Sequence, residues 1–457
     1  MNESLHLADY VTRTCYDDIM GDAVAITKWS ILDAVGVMLA ASTLGEGCRA
    51  FIQLALEEEG KQSSTVIGVN AKTSPTMAAF ANGAMAHALD FEDAHEAALV
   101  HPNAATIPAA LAVAESIGKV SGKQFIAAVA LGCDLVCRLG LALNEDLLKY
   151  GWYMPPILGA FGATAAAGKL LHLTTEQMLD AFSLTLSQAA CSGELANSSH
   201  SVVRSIRDAF PAKAGVVAAL LAQKGITGFD QPFEGKLGLY TAYARGNYDP
   251  AKLTRDLGQI FEGRNVSFKA WPSCRGTHPY VDATLQMRRA HGLGAADIQA
   301  VHVVVSTVNA MLCEPVAVKQ KPATAIDAKF SIPFVVASAL VHGPITLDTF
   351  TRAAITDDTV LNLASKFTYE VDSHLTRAEA AKGELRIETT HGVLTRPVDV
   401  AYGHPSNPIG ETELLAKFAN CANYAAKGIS PMDANRLADL ILNLETVSDV
   451  CALTESL

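Results

Sequence analysis

The sequence predicts a mainly α protein, with a large all-helical domain and a smaller α+β domain. The chain has 457 residues, which is too long for a single small core, so two domains are the natural expectation. It is 50% hydrophobic and only 18% charged, which suits a large helical core or an extensive subunit interface. The pattern of apolar residues also changes at about residue 266, from helical periodicity to strand-like segments.

The first 265 or so residues read mainly as helix, because apolar residues recur at three- and four-residue steps. The predicted helices span residues 22–41, 77–89, 104–117, 122–142, 158–171, 175–190 and 203–223. The sequence Thr174-Thr175-Glu176-Gln177 predicts an N-terminal cap for one of them. The Gly- and Ala-rich stretch 159–168 lacks the order of a dinucleotide-binding loop, so we interpret it as close helix packing.

The later part of the chain mixes strands with helices. Strands are predicted at 300–308, 366–371, 384–390 and 393–400, the last two forming a hairpin, and helices at 328–341 and 347–354. Helices return at 411–426 and 431–444, the second with Ser430 as its cap and Pro431 at its first position. We therefore expect a helical domain of residues 1–266 with 404–457 and an α+β domain of residues 267–403.

Composition narrows the class of protein. A net charge of −12 argues against nucleic acid and anionic membranes as general partners. No uninterrupted apolar run reaches the roughly 18 residues of a membrane span, and the first residues do not resemble a signal peptide. The nine cysteines are odd in number, irregularly spaced and without a CxxC pair, so a disulfide framework and a zinc or iron–sulfur site are not expected. A cytoplasmic location fits best.

The most informative segment is His87-Ala-Leu-Asp90-Phe-Glu-Asp-Ala-His95, which is followed by His101-Pro-Asn. It joins two Ala-rich helices, and charged groups at such a junction are costly to bury unless they are paired. We interpret it as one wall of an active site. His87, Asp90 and His101 could hold a metal in principle, but they have no recognised ligand spacing, so no metal is expected.

A second segment, residues 267–280, lies near the expected domain boundary, where substrate clefts are common. It supplies Lys269, Cys274, Arg275 and His278 within ten residues. Two prolines and a glycine make it irregular, so it can aim side chains from a rigid loop. A hinge that carries surface charges is the alternative interpretation.

Two further regions offer candidate residues. Tyr153 lies among aromatic residues and prolines that suit either a pocket wall or a core plug, and the core is the simpler interpretation of that region alone. Arg204 and Arg207 share a face near a helix start, where arginines suit carboxylate binding, although a solvated helix face fits equally well.

Together these residues supply the chemical groups that are needed to remove a proton from a carbon next to a carboxylate. Cations hold the substrate and stabilise enolate-like charge, a base takes the α-proton, and an acid protonates the leaving hydroxyl or the carbanion. A serine hydrolase is disfavoured because no GxSxG elbow is present.

The motifs resemble those of the MmgE/PrpD family. Four ordered segments carry the resemblance: residues 87–93 with 101–105, residues 214–216 with 220–222, residues 269–283, and residues 328–331. The resemblance implies a helical domain with an α+β lid, a homodimer, and no metal or organic cofactor. It also implies chemistry at a carbon α to a carboxylate of a small di- or tricarboxylate, as in 2-methylcitrate dehydratase, cis-aconitate decarboxylase and iminodisuccinate epimerase.

The resemblance also implies roles for individual residues. His101 is the leading proton-transfer candidate, Asp90 its orienter or a substrate contact, and Lys269 a carboxylate clamp. His278 lies in a motif and has either a substrate-binding or a structural role.

The chain departs from the family pattern at four positions. Cys274 and Tyr153 stand where relatives have histidine, Arg204 stands where many have lysine, and Ala94 replaces a polar residue. The histidine losses weigh against cis-aconitate decarboxylation and, less strongly, against authentic 2-methylcitrate dehydration.

We therefore expect a cofactor-independent lyase of the dehydratase type that acts on a hydroxylated di- or tricarboxylate. His101, Asp90, Lys269 and Tyr153 are the catalytic candidates, and the substrate-binding candidates are Arg204, Arg207, Cys274, Arg275 and His278. The alternatives are, in order, a dicarboxylate epimerase or isomerase, a cis-aconitate decarboxylase-like enzyme, and a non-catalytic carboxylate-binding protein.

Overall fold

The computed structural model describes residues 2–58, 60–198, 201–376 and 379–455. Helices dominate these ranges, and the strands are short. The α-helices are α1 (Glu3–Arg13), α2 (Gly21–Leu44), α3 (Cys48–Glu57), α4 (Pro75–Ala88), α5 (Pro102–Ile117), α6 (Gly122–Ala142), α7 (Met154–Leu170), α8 (Thr175–Leu186), α9 (Val203–Ile206), α10 (Ala209–Gln223), α11 (Leu239–Ala244), α12 (Ala251–Thr254), α13 (His278–His291), α14 (Val316–Gln320), α15 (Ala325–Lys329), α16 (Ile332–His342), α17 (Asp358–Ala364), α18 (Glu411–Ala422) and α19 (Pro431–Leu442). The strands are β1 (Ser64–Val66), β2 (Ala71–Thr73), β3 (Ile298–Ser306), β4 (Phe367–Asp372), β5 (Gly383–Thr389) and β6 (Gly392–Val398).

The larger hydrophobic core joins residues 7–261 to residues 418–453, with Leu347 added from between them. Helices α4, α5, α6, α7 and α10 lie at its centre. Helices α5 and α7 are buried over almost their whole circumference, which explains why their sequences are apolar on every side. The C-terminal helices α18 and α19 pack back onto α2.

Glycines let the central helices approach closely. A Cβ built at Gly132 of α6 would lie 2.6 Å from Thr106 Cγ2 of α5. A Cβ at Gly162 of α7 would lie 2.5 Å from Thr106 Oγ1 and closer still to Val136 Cγ2. The interpretation of the 159–168 stretch as helix packing therefore has a structural basis.

A second core draws on residues 271–398. Its four-stranded sheet has the order β4-β3-β5-β6, in which β3 and β4 are parallel and the other neighbours are antiparallel. Helix α13 packs against β5 and β6, and α16 packs against α13. The fold is thus mainly α with small sheets, whereas the domain boundaries at 266/267 and 403/404 stay a prediction.

Most predicted elements are present within a few residues, and Thr174 and Ser430 cap their helices as expected. The single helix predicted at 203–223 is wrong, because the chain breaks at Arg207-Asp208 between α9 and α10. The helix predicted at 328–341 is also broken, where Ser331 accepts a hydrogen bond from Phe334 N and caps α16. The stretch 347–354 forms short 3₁₀ turns rather than a helix. Helices α1 and α13 and the β1–β2 hairpin were not predicted.

Two helices meet the length and composition of a membrane span. They are α2 and α6, and 78% and 94% of their most apolar windows are buried inside the protein, as in the core helices of many proteins. The expected absence of membrane segments therefore stays a prediction. All nine cysteines are free thiols, which agrees with the prediction that the chain has no disulfide framework.

The glycine packing predicts opposite outcomes for two substitutions in α7. Gly162→Ala should destabilise the protein by about 1–3 kcal/mol, because the new methyl overlaps α5 and α6. Gly159→Ala is the matched control, since its Cβ would meet Ala105 at an ordinary 3.5 Å. It should leave stability unchanged or raise it by up to about 1 kcal/mol through helix propensity. Thermal unfolding of both variants checks this, and equal melting temperatures would contradict it.

Candidate active site

Two segments of the chain meet to form the site. Ala94 N donates to Ser267 O at 3.0 Å, and Ser267 N donates to Ala94 O at 2.7 Å. Upstream of this bridge α4 ends at Ala88, and Asp90 turns the chain with a φ of 49°. Aspartate adopts this left-handed conformation more readily than most residues. The first and second predicted segments are therefore joined in space.

Asp90 and Lys269 form a buried ion pair between these segments. Lys269 Nζ lies 2.5 Å from Asp90 Oδ1 and also donates to Asp90 O at 3.0 Å. Burial disfavours the charged form of both groups. In each case, however, the attraction of the oppositely charged partner outweighs this effect. The pKa of Asp90 is therefore held below its usual range and the pKa of Lys269 is raised.

Glu92 lies at the centre of the polar cluster. Its Oε1 is 2.5 Å from His87 Nδ1, 3.0 Å from His101 Nδ1 and 4.0 Å from Lys269 Nζ. Burial would raise the pKa of Glu92, but the neighbouring histidines and lysine hold it well below its usual range. Burial, and then the charge of Arg207, lower the pKa of His87. The close contact with His87 therefore favours the ionised carboxylate of Glu92.

His101 is oriented by oxygen atoms on one side of its ring. Its Nδ1 lies 2.9 Å from Asp93 O and 3.0 Å from Glu92 Oε1. Two acceptors at Nδ1 favour the tautomer that carries the proton there, which leaves the Nε2 lone pair free. His101 also lines the cavity described below. The contacts of Nδ1 therefore fix the tautomer of a histidine that lies on the cavity wall.

Tyr153 joins two buried arginines at the N-terminus of α7. The Arg207 guanidinium lies 4.9 Å from the Tyr153 ring centre and that of Arg204 lies 5.7 Å away. Arg204 also stacks on Phe330 at 3.5 Å. The break between α9 and α10 turns Arg207 inward, where it pairs with Asp208 at 3.3 Å. Both arginines are buried, so the alternative of a solvated helix face is wrong.

Several buried polar atoms in this region have no hydrogen-bond partner among the residues that the structure describes. The unpaired donors include Nε and Nη2 of Arg204 and Nε and Nη1 of Arg207, and the unpaired acceptors include Asp90 Oδ2 and Glu92 Oε2. A buried guanidinium donor without a partner is costly. An anionic ligand with carboxylate oxygens would satisfy these arginines.

A cavity of about 160 Å³ lies against this cluster. Its wall combines Val100 and Met154 of the larger core with Leu312 of the second core. It also includes Ala94, His101, Tyr153, Cys274 and Arg275. Much of the remaining wall is apolar and includes Leu148, Met154, Met311 and Leu312. The cavity wall is therefore largely apolar, and its polar lining residues include Glu96 and Asn309 as well as His101.

Cys274 faces the cavity as a neutral thiol. Burial raises the pKa of Cys274, and the negative charge of Asp90 adds to this effect. Its backbone N donates to Lys329 O at 3.0 Å, which fixes the loop. A protonated thiol is a weak nucleophile, so nucleophilic attack by Cys274 is disfavoured.

Arg275 and His278 use their polar atoms inside the protein. Arg275 donates to Glu96 Oε1 at 2.7 Å, to Tyr402 O at 2.8 Å and to Ala401 O at 3.2 Å. His278 has Nε2 3.2 Å from Ser273 O and Nδ1 3.1 Å from Arg275 Nη1. Burial, and then Arg275, hold the pKa of His278 well below its usual range. Of the two roles considered for His278, this geometry fits the structural one.

Three acidic or basic residues of the cluster were not predicted as catalytic or substrate-binding residues, namely His87, Glu92 and Asp208. Glu92 contacts both histidines, and Asp208 Oδ2 lies 4.0 Å from His87 Nδ1. Glu92 carried a usable signal, because it follows Asp90 by two residues in the most informative segment. The contact of Asp208 with His87 could not be predicted in the same way, because the position of Asp208 depends on the break before α10.

Four ligand-type side chains present atoms within 4.8 Å of one another, namely His87, Asp90, Glu92 and His101. Their chemistry would suit a divalent cation. However, Lys269 Nζ already lies 2.5 Å from Asp90 Oδ1, and Arg207 Nη2 lies 3.5 Å from His87 Nδ1. Two of these side chains therefore already contact basic groups of the protein where a metal ion would otherwise bind. The expectation of a metal-free site stays a prediction.

Comparison with known proteins identifies the family. Sequence profiles of the MmgE/PrpD N-terminal domain and the MmgE/PrpD C-terminal domain match residues 5–251 and 271–445. Together these ranges cover most of the chain. The protein belongs to the MmgE/PrpD family, as the sequence motifs predicted.

Curated relatives of known name cover nearly the whole chain. Cis-aconitate decarboxylase-like protein oryM of Aspergillus oryzae is 29% identical over 99% of this chain and 96% of its own length. Human cis-aconitate decarboxylase is 28% identical over 94% and 89% of the two chains. The 2-methylcitrate dehydratase of Cupriavidus necator is 24% identical over 81% and 78%. These relatives are lyases named for small carboxylates, and the present protein is an enzyme of the lyase class.

The buried carboxyl of Asp93 predicts a pH-dependent stability. Burial raises the pKa of Asp93 to about 7, assisted by the nearby acids Asp33 and Glu92 and opposed by a hydrogen bond from Asn103. An unfolded aspartate has a pKa of about 3.9. Between about pH 4 and 7 the folded state therefore binds more protons than the unfolded state, and this group lowers stability as the pH rises.

Asp93→Asn removes this titration while keeping an oxygen for Asn103. Its melting temperature should fall less than that of the natural protein between pH 5 and pH 8, by about 2–4 °C for each kcal/mol of the penalty. Thermal scans across this range provide the measurement. Asp17→Asn, at a position 86% exposed, should follow the natural protein. Parallel curves for Asp93→Asn and the natural protein would show that Asp93 does not titrate in this window.

Proposed function

We propose that this protein is a cofactor-independent hydro-lyase that eliminates water from a hydroxylated di- or tricarboxylate. The observation that carries the proposal is the arrangement of His101, whose Nδ1 is fixed by oxygens, on a cavity shared with Tyr153 and beside unpaired buried arginines. A base, an acid and cations are the three requirements of this elimination.

The base in this proposal is His101. With its Nδ1 proton held by Asp93 O and Glu92, Nε2 removes the proton on the carbon next to a substrate carboxylate. The ionised Glu92 stabilises the imidazolium that forms. The electron pair released from the C–H bond moves toward the carboxylate to give an enolate-like intermediate. It then forms the carbon–carbon double bond as the C–O bond breaks and the hydroxyl group, protonated by the acid, leaves as water.

The acid in this proposal is Tyr153. A phenol carries its proton at neutral pH, because its reference pKa is about 10. Tyr153 faces the cavity and can protonate the departing hydroxyl group so that it leaves as water. Arg204 and Arg207, which lie against its ring, bind the substrate carboxylates and stabilise the charge on the phenolate.

The proposal extends to the surroundings of the site. Residues 267–403 act as a lid, since Cys274 and Met311 form part of the cavity wall. The protein works as a homodimer in the cytoplasm. The apolar part of the wall favours a substrate with a small alkyl substituent, so 2-methylcitrate should be preferred over citrate.

Decarboxylation of cis-aconitate is a second candidate. It is supported by the names of several relatives that span 94% or more of this chain. In that reaction the cations would bind the remaining carboxylates, and an acid would protonate the carbanion left by carbon dioxide. Tyr153 and the neutral thiol of Cys274 are both acids on the cavity wall.

Proton NMR in deuterated buffer distinguishes these reactions. The panel is citrate, 2-methylcitrate, cis-aconitate, malate, tartrate and iminodisuccinate. We expect loss of the hydroxylated substrate and new alkene signals, with 2-methylcitrate turned over fastest. Conversion of cis-aconitate to a product one carboxylate shorter would identify a decarboxylase instead. Deuterium exchange without an alkene would identify an epimerase or isomerase, and silence across the panel would contradict the dehydratase proposal.

Replacing the proposed base should abolish most of the turnover. His101→Asn is expected to lower kcat by about 10²–10⁴-fold, the usual contribution of a positioned acid or base. The measurement is initial rates on whichever substrate the NMR panel identifies. His391→Asn, at an exposed position on the β5–β6 turn, is the control and should retain full activity. Undiminished turnover by His101→Asn would remove His101 from the mechanism.

A further inference from the structure

Three consecutive backbone carbonyls at the site each accept a hydrogen bond from a different buried lysine. Leu89 O accepts from Lys329 Nζ at 2.8 Å. Asp90 O accepts from Lys269 Nζ at 3.0 Å. Phe91 O accepts from Lys417 Nζ at 2.6 Å. The three lysines come from distant parts of the chain, and the outer two lie on α15 and α18.

The two outer lysines also bind the opposite segment. Lys329 Nζ donates to Pro272 O at 2.9 Å, and Lys417 Nζ donates to Lys269 O at 2.9 Å. Each ammonium group therefore bridges residues 89–91 to residues 269–272. In the first segment the bonded carbonyls flank Asp90, and in the second they belong to Lys269 itself and to Pro272.

These lysines are costly to bury, so their presence needs a reason other than stability. Lys329 is 3% exposed, and burial lowers its pKa to about 7. Its ammonium lies 4.1 Å from the Phe350 ring, and that of Lys417 lies 3.8 Å from the Phe91 ring and 2.6 Å from Asp33 Oδ1. Well-packed apolar residues often replace such buried ionic groups with no loss of stability.

We propose that Lys329 and Lys417 are positioning residues that hold the Asp90–Lys269 ion pair in its working geometry. Asp90 has a left-handed φ of 49°, which is less favourable than ordinary backbone conformations. The bonds to Leu89 O and Phe91 O fix the peptides on both sides of it. The inference rests on the proposed function, because it assigns the geometry of that site a catalytic purpose.

Two single variants test this proposal. Lys329→Met and Lys417→Met keep much of the side-chain volume but remove the ammonium group. Each should lower kcat/KM by about 10- to 100-fold per folded molecule, because displacements near 1 Å at a reacting group can cost about 10² in rate. The two lysines lie on different helices, so poor folding of one variant leaves the other to decide. Lys169→Met is the matched control, since Lys169 Nζ also donates to a carbonyl, Thr12 O, at 2.7 Å.

A double-mutant cycle separates positioning from general support of the fold. If the lysines act through the ion pair, Lys329→Met should have little further effect on kcat in an Asp90→Asn background. The pH dependence of kcat/KM should also differ between Lys329→Met and the natural protein but not for Lys169→Met. Activity within twofold of the natural protein in both single variants would overturn the proposal, and so would additive effects in the cycle.

Hydrogen exchange measured by mass spectrometry provides a readout that needs no substrate. Peptides that cover residues 88–95 and 267–275 should exchange faster in Lys329→Met and Lys417→Met and remain unchanged in Lys169→Met. Unchanged exchange in both lysine variants would overturn the positioning role. If exchange rises as expected while the natural protein turns over none of the substrate panel, the failure lies in the proposed function and the positioning of these segments stands.

Discussion

The buried ion pair between Asp90 and Lys269 is the interaction on which the site depends. Both side chains are fully buried, so the pair is favourable only if its remaining polar atoms are satisfied and its geometry is held. The left-handed turn at Asp90 and the backbone bridge between Ala94 and Ser267 supply that geometry. The pair joins the segment after α4 to the segment before α13, which is how two hydrophobic cores come to share one cavity.

Three acidic side chains around the site are each paired with a basic one, and Arg204 is left without a paired carboxylate in the part of the chain that the structure describes. Asp33 pairs with Lys417, Asp90 with Lys269, and Asp208 with Arg207. Arg204 has buried donors with no partner among the described residues, and it stacks on aromatic rings rather than on a carboxylate. Since an unpaired buried charge is costly, this arrangement favours an anionic ligand. The net charge of −12 for the whole chain therefore coexists with a site suited to carboxylates.

The parts of the fold and of the site that depend on local sequence pattern could be predicted from the sequence. Periodicity located most helices, and the motifs identified Asp90, His101 and Lys269, which the structure brings together. The break at Arg207-Asp208 was missed although Pro211, in the first turn of α10, cannot donate a hydrogen bond to the carbonyl of Arg207. Packing of Asp208 and Ala209 against Gly83 of α4 accompanies the break. Lys329 lies in the 328–331 motif, but its contact and that of Lys417 could not be predicted, since only tertiary structure brings these lysines to the carbonyls on either side of Asp90.

The chemistry of the cavity wall bears on which lyase reaction the scaffold performs. Tyr153 and Cys274 both line the cavity, and their O–H and S–H groups are hydrogen donors. Burial raises the pKa of Cys274, which favours its protonated thiol. Among these three cavity groups His101 alone is a base, and its tautomer is fixed by oxygens. One base facing two acids suits removal of a carbon-bound proton together with protonation of a leaving hydroxyl. An epimerase needs a proton donor that returns hydrogen to carbon on the opposite face, so the position of the bound hydroxyl relative to Tyr153 decides between the two reactions.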